Sequence, residues 1–132
     1  MDITARVKEL NLPKGSYAVF GSGPLAVRKL REARDIDIVI TPELFKKFSE
    51  GSDWGVGELR DHHRVLSKGD VELFDSWAPG SWDVYELIRS ADIIDEVPYV
   101  RLESVLEWKT LRGSDKDKQD IALVEQYRLE HR

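Results

Sequence analysis

The chain has 132 residues, of which 41% are hydrophobic and 34% charged, with a net charge of −5 and no cysteine. That length fits one ordinary domain able to bury about two-thirds of the surface its unfolded form exposes, and the composition excludes a disordered or low-complexity chain. Without cysteine there are no disulfides, thiolate metal sites or cysteine nucleophile, and the acidic balance argues against a broad electrostatic grip on nucleic acid.

No apolar run is long enough to span a membrane, and "MDITARVKELNL" mixes charge with apolar residues unlike a signal peptide. A cytoplasmic protein with no membrane partner is therefore expected. Residues 2 to 10 read as a short amphipathic helix, with Ile3, Val7 and Leu10 at helical spacing, ended by "NLPKG". "YAVF" is a short buried strand, and Gly21-Ser22-Gly23-Pro24 turns into a helix. In that helix Ala26, Leu30 and Ala33 are expected on one face, with Arg28 and Arg31 on the other.

"DIDIVI" alternates as a strand, with Asp35 and Asp37 on one face and Ile36 and Ile38 on the other. "TPELFKKFS" begins a helix capped by Thr41, with Pro42 in its first turn. "SEGSDWGVG" reads as a loop or short strand, and "HHRVLSKGDVELFDSW" as a hairpin turning at "SKGD". His62 and His63, adjacent on a strand, point to opposite faces and share no metal site by themselves. "DVYELIRSA" is a helix and "VPYVRL" an extended segment, followed by helices over 102 to 112 and 115 to 130 separated by "GS". The succession predicts a single α/β (α+β) domain over residues 1 to 132, a mixed sheet packed with helices for which one helical layer suffices.

Two like charges one residue apart in an apolar strand repel and raise each other's pKa unless a cation meets them. A divalent cation such as magnesium is the natural partner, since it takes oxygen ligands from one or two carboxylates and completes its shell with phosphate and water. The alternative is a solvated strand face or a salt bridge from these aspartates to Arg28, Arg31 or Arg34. Gly21-Ser22 at a helix start suits a phosphate, or else simply caps the helix.

Gly21-Ser22, twelve intervening residues and then Asp35-Ile36-Asp37-Ile38 resemble the signature of the nucleotidyltransferase superfamily, the polymerase-beta-like fold, in its minimal form. The resemblance implies magnesium- or manganese-dependent transfer of a nucleoside monophosphate from a nucleoside triphosphate such as ATP to an acceptor hydroxyl. It implies that Gly21 and Ser22 hold triphosphate oxygens, that Asp35 and Asp37 bind metal, and that a third acid comes from a neighbouring strand. The best match for that acid is Glu72, a catalytic residue and metal ligand in Val71-Glu72-Leu73, with Asp75 in reserve on the opposite face. A non-catalytic nucleotide-binding or interaction module of the same fold, or one half of a paired regulatory system, is the alternative.

Lys109 continues the inward stripe of Leu102, Val105 and Leu106 at spacings of three, four and seven residues. It either contacts nucleotide phosphate or pairs with Asp117 or Asp120 to dock two helices. "KDKQDI" is similar to a lysine-aspartate element of some small superfamily members, which carry an arginine where this chain has Ser114. Trp54, Trp77, Trp82 and Trp108 are expected in the core or the cleft walls. The acceptor, whether RNA, protein or a small molecule, would be met by the C-terminal helices, a homodimer or a partner protein.

Overall fold

The computed structural model describes residues 2–58 and 63–131. His62 lies outside them, while the His63 ring nitrogen Nδ1 is 2.6 Å from the Ser76 hydroxyl. A seven-stranded mixed sheet carries six helices among the described residues. In chain order these are α1 (Ile3–Glu9), β1 (Tyr17–Val19), α2 (Gly23–Val27), β2 (Ile36–Ile40), α3 (Pro42–Ser49), β3 (Gly55–Glu58) and β4 (Arg64–Lys68). There follow β5 (Val71–Phe74), α4 (Val84–Arg89), β6 (Asp92–Ile94), β7 (Val97–Tyr99), α5 (Leu102–Arg112) and α6 (Asp115–Glu130). The strands lie in the order β3-β4-β5-β2-β1-β7-β6, so the strand bearing Asp37 sits at the centre.

Local chemistry accounts for the element ends. Thr41 accepts the Leu44 N–H at 3.3 Å to start α3, with Pro42 in the first turn where no internal donor is needed. Gly113, at φ 65°, stops α5 in the left-handed region that a side chain would strain, and Ser114 opens α6 through a capping box with Asp117. Both C-terminal helices thus occupy the expected residues.

Three expectations are corrected. The helix after Pro24 ends at Val27, and Lys29 adopts φ 61°, so the anticipated helical face through Leu30 and Ala33 does not form. Residues 92 to 94 form an additional strand, β6, paired antiparallel to β7. Helices also cover both faces of the sheet. Ile36, Ile38 and Ile40 pack with Ile3 and Val7 of α1 and Leu44 and Phe45 of α3. Ala18, Phe20 and Val39 pack on the opposite face with Val84 and Leu87 of α4, Val105 and Trp108 of α5, and Val124 of α6.

This two-sided burial explains why β2 reads Ile-Asp-Ile-Val-Ile rather than as a simple alternation. Asp37 alone interrupts an otherwise buried strand. Side chains two apart share a face, so Asp37 lies with Val39 on the side covered by α4, α5 and α6. No helix of the described residues is long and apolar enough to cross a membrane.

Candidate functional site

The turn after β1 is held directly against Asp37. The Phe20 N–H donates to the Asp37 carbonyl at 2.8 Å, and Gly21 follows at φ 58°. A Cβ at Gly21 would lie 2.6 Å from Asp37 Oδ2, so only glycine allows both this backbone conformation and this approach. Ser22 stands at the N-cap position of α2, yet its side chain makes no capping hydrogen bond. The capping role open from sequence is therefore not taken up by its hydroxyl.

Asp35 is exposed immediately before β2, and Asp37 is half-buried within it. Parallel pairing of β2 with β5 places Asp37 opposite Glu72, one register step from Ile38 opposite Leu73. The pKa of Asp37 is pushed up to about 6, first by burial, then by the negative charges of Glu72 and Asp35, against a lowering from Arg112. Glu72 and Asp35 thus both act electrostatically on Asp37. Asp75 follows the end of β5 and forms an ion pair with Arg64 at 3.5 Å.

None of the arginines considered as salt-bridge partners pairs with Asp35 or Asp37 among the described residues. Arg28 pairs with Asp92 at 3.0 Å and Arg31 with Asp120 at 2.7 Å, while Arg34 makes no ion pair. Among the described residues no group of three or more His, Cys, Asp or Glu side chains is drawn together so as to hold a metal ion. Carboxylate oxygens are the ligand type that a hard divalent cation takes.

A cleft of about 660 Å³ opens over these residues. Its sheet side carries Gly21, Ser22, Asp35 and Asp37, with Arg31 and Arg34 from the segment before β2. Its helical side is built from Trp108, Lys109 and Arg112 of α5 and Lys116, Gln119, Asp120 and Leu123 of α6. The structure therefore brings Gly21, Ser22, Asp35, Asp37 and Lys109 into one cavity, while Glu72 stands beside Asp37 on the neighbouring strand and does not line it.

Lys109 lines the cleft but is only 1% exposed, and its ammonium donates to Asp120 Oδ2 at 2.8 Å. Asp117 Oδ1 stands 3.6 Å from the same nitrogen. Arg31 donates to that same Asp120 oxygen at 2.7 Å, tying the segment after α2 to α6. Arg112 grips Asp117 through Nε and a terminal nitrogen at 2.8 and 2.6 Å, and its guanidinium lies 4.2 Å from the centre of the Trp108 ring. Fixed by Arg112, and by the Ser114 N–H and hydroxyl, Asp117 is held well below the ordinary carboxylate range. Ser114 thus serves as a helix cap, and the guanidinium that meets Asp117 comes from Arg112 of the preceding helix.

The aromatic wall extends inward from Trp108. Trp77 stacks on Phe20 with ring centres 4.3 Å apart, Trp108 meets both edge-on at 5.1 Å, and Trp54 stacks on Phe48 at 5.9 Å elsewhere in the core. Arg34, Arg112, Lys116 and Gln119 are cleft residues that the sequence reading did not single out as such. A signal for the last two was present, because residues 116, 119, 120 and 123 recur at helical spacing. No family model, curated protein or solved structure matches this chain.

Proposed function

We propose that the protein is a metal-dependent nucleotidyltransferase of the minimal polymerase-beta-like kind, moving a nucleoside monophosphate from a nucleoside triphosphate to an acceptor hydroxyl. The observation that carries this reading is the cleft in which the Gly21-Ser22 turn and Asp35 and Asp37 meet, with Glu72 in register beside Asp37 on the neighbouring strand. Turn, paired carboxylates and third acid come from three separate segments. Packing of the core does not require them to meet.

Asp35, Asp37 and Glu72 would hold magnesium or manganese, drawing together from their present positions. The bound cation would neutralise phosphate charge and acidify the acceptor hydroxyl. Gly21 and the uncommitted Ser22 hydroxyl bind triphosphate oxygens, while cleft cations add attraction for the polyanion. The acceptor oxygen forms a bond to the α-phosphorus, the bond from that phosphorus to the β-phosphate bridge oxygen breaks, and pyrophosphate departs with its electron pair. Glu72 takes the hydroxyl proton.

A second reading, a nucleotide-binding module without turnover, is favoured by the position of Glu72 outside the cleft wall. Incubation of the purified protein with labelled nucleoside triphosphates, magnesium and pools of RNA, protein and small hydroxyl compounds separates the two. Under the transferase reading label enters one pool with release of pyrophosphate, and Glu72→Gln retains nucleotide binding but slows transfer on the order of a hundredfold. Asp75→Asn, removing only an ion pair with Arg64, leaves the rate unchanged. Binding without transfer to any pool supports the module instead.

A further inference from the structure

The acids of the cleft floor continue into an open face of the sheet. Cross-strand pairing sets Asp37 of β2 opposite Glu72 of β5, Glu72 opposite Ser67 of β4, and Ser67 opposite Gly55 of β3. Paired residues point to the same side, so these residues form one row running from the site to the sheet edge. The helices on this side do not follow the row outward. The core beneath α4, α5 and α6 takes Ala18 of β1 and Val39 of β2 but no residue of β3, β4 or β5. Ser67, Gly55 and Gly57 are exposed.

Gly57 pairs with Val65 and so shares the face of Gly55 and Ser67. Neither glycine has the positive φ that calls for one. A Cβ would approach nothing closer than Ser67 at 3.6 Å from Gly55, or Val65 at 3.5 Å from Gly57, both ordinary contacts. Backbone and packing therefore admit side chains at both positions, and glycine weakens a strand. What the pair provides is a low surface, as where a ligand approaches a strand closely. This face also carries no arginine or lysine from its strands. Arg64 and Lys68 of β4 stand on the reverse, over the rings of Phe45 and Trp54 at 4.8 and 5.7 Å, and β3 and β5 contain neither residue type.

We propose that this face receives the acceptor, and that the acceptor is a small hydroxyl compound without negative charge. The proposal rests on the transferase reading above. β1 and β5 are the two neighbours of β2, one on each side. The Gly21 turn, assigned to the triphosphate, meets Asp37 from the end of β1, whereas Glu72 flanks it from β5. An in-line displacement puts the attacking oxygen opposite the departing pyrophosphate, so the acceptor enters over β5, β4 and β3. A phosphate-bearing acceptor would set its charges beside Glu72 with no arginine or lysine of these strands to meet them, which disfavours RNA. Two strand spacings, about 10 Å, separate Glu72 from the edge strand, a span that a small ring system fills.

Transfer from labelled nucleoside triphosphates in magnesium tests this assignment, offered RNA, a protein pool, and small hydroxyl compounds separated by ion exchange into anionic, neutral and cationic fractions. Label is expected in the neutral or cationic fraction. Label in RNA, protein or the anionic fraction overturns the inference while sparing the transferase reading, and no label in any pool removes both. With the labelled fraction as acceptor, the Gly55→Val, Gly57→Val double variant should melt no lower than wild type and bind the triphosphate unchanged. It should need about tenfold more of that fraction for half-maximal transfer. Ser67→Trp should have the same effect without touching a glycine, and Lys68→Trp, on the reverse face, should have none. Folded Gly55/Gly57 and Ser67 variants that saturate with acceptor as wild type does would overturn the inference.

Discussion

The corner where α5 meets α6 and the strand pair β2–β5 both place ionised side chains in poorly solvated surroundings, but they handle the charge in opposite ways. At the helical corner Lys109, Asp117 and Asp120 are buried, and each meets an opposite charge within hydrogen-bond reach. Along β2 and β5 the neighbouring charges are alike, Asp37 facing Glu72 with Asp35 nearby, and Arg112 acts against them at Asp37. Buried charges that satisfy one another hold elements together, and removing one partner is costly. Like charges set side by side destabilise a sheet, and under the proposed function a bound cation offsets them. Arg112 stands between the two regions, gripping Asp117 while lowering the Asp37 pKa.

The contrast fails if the helical corner is not structural. Asp117→Asn leaves Lys109 and Arg112 without their full counter-charge and breaks the capping box, so a loss of about 3–5 kcal/mol is expected. Urea unfolding with an unchanged m-value measures it. A loss below about 1 kcal/mol would mean that the corner is hydrated like a surface pair.

Lys109→Met comes next in size. Asp120 retains Arg31, so the expected loss is about 2 kcal/mol, with nucleotide affinity per folded molecule unchanged. Stability preserved with weakened nucleotide binding would instead move Lys109 from the structural region to the ligand site. Parallel melts and nucleotide titrations on this one variant decide between them.

The smallest effect lies on the acidic side and has the opposite sign. Because the Asp37 pKa is raised to about 6 from 3.8, the folded state binds its proton more tightly than the unfolded state. This contribution to stability is fully present below about pH 4, declines as pH rises, and is gone above about 6. Burial sets it first, followed by the charges of Glu72 on β5 and Asp35 before β2, with Arg112 on α5 acting against them. Asp37→Asn should therefore stabilise the unliganded protein at pH 7 by about 1 kcal/mol, after allowance for solvent screening of a half-buried group, and flatten the pH dependence. Melts from pH 4 to 8 test the sign, and a less stable variant at pH 7 would show that Asp37 is structurally satisfied.

The two regions also differ in how far they could be read from sequence. The cleft floor was legible because Gly21-Ser22 and Asp35-Ile36-Asp37 carry their chemistry within a short span, and the Val71-Glu72-Leu73 pattern located the cross-strand acid. The ends of α5 and α6 were legible because Gly113 and Ser114 are strong local signals. Both Asp117 and Asp120 could be named as partners of Lys109, but choosing between pairing and phosphate contact required the fold that brings the two helices together. Edge strand β3 was ambiguous because all its residues are exposed, and β6 was missed because its exposed Asp92 and Ile93 leave no buried alternation. The early end of α2 follows a backbone reversal at Lys29 that its apolar spacing did not announce. Arg112 escaped because the sheet and the helical corner contribute to the cleft from distant parts of the chain.

Under the proposed function Asp35 and Asp37 are kept for a metal-bound nucleotide. The direct measurement is the melting temperature of wild type and of the Asp35→Asn, Asp37→Asn double variant, each with and without magnesium and ATP. At a hundredfold excess over Kd, wild type should gain about 5 °C or more, since ligand binding to the folded state alone stabilises it by mass action. The double variant should melt at or above the unliganded wild type and gain nothing. An equal gain in both proteins would contradict the account.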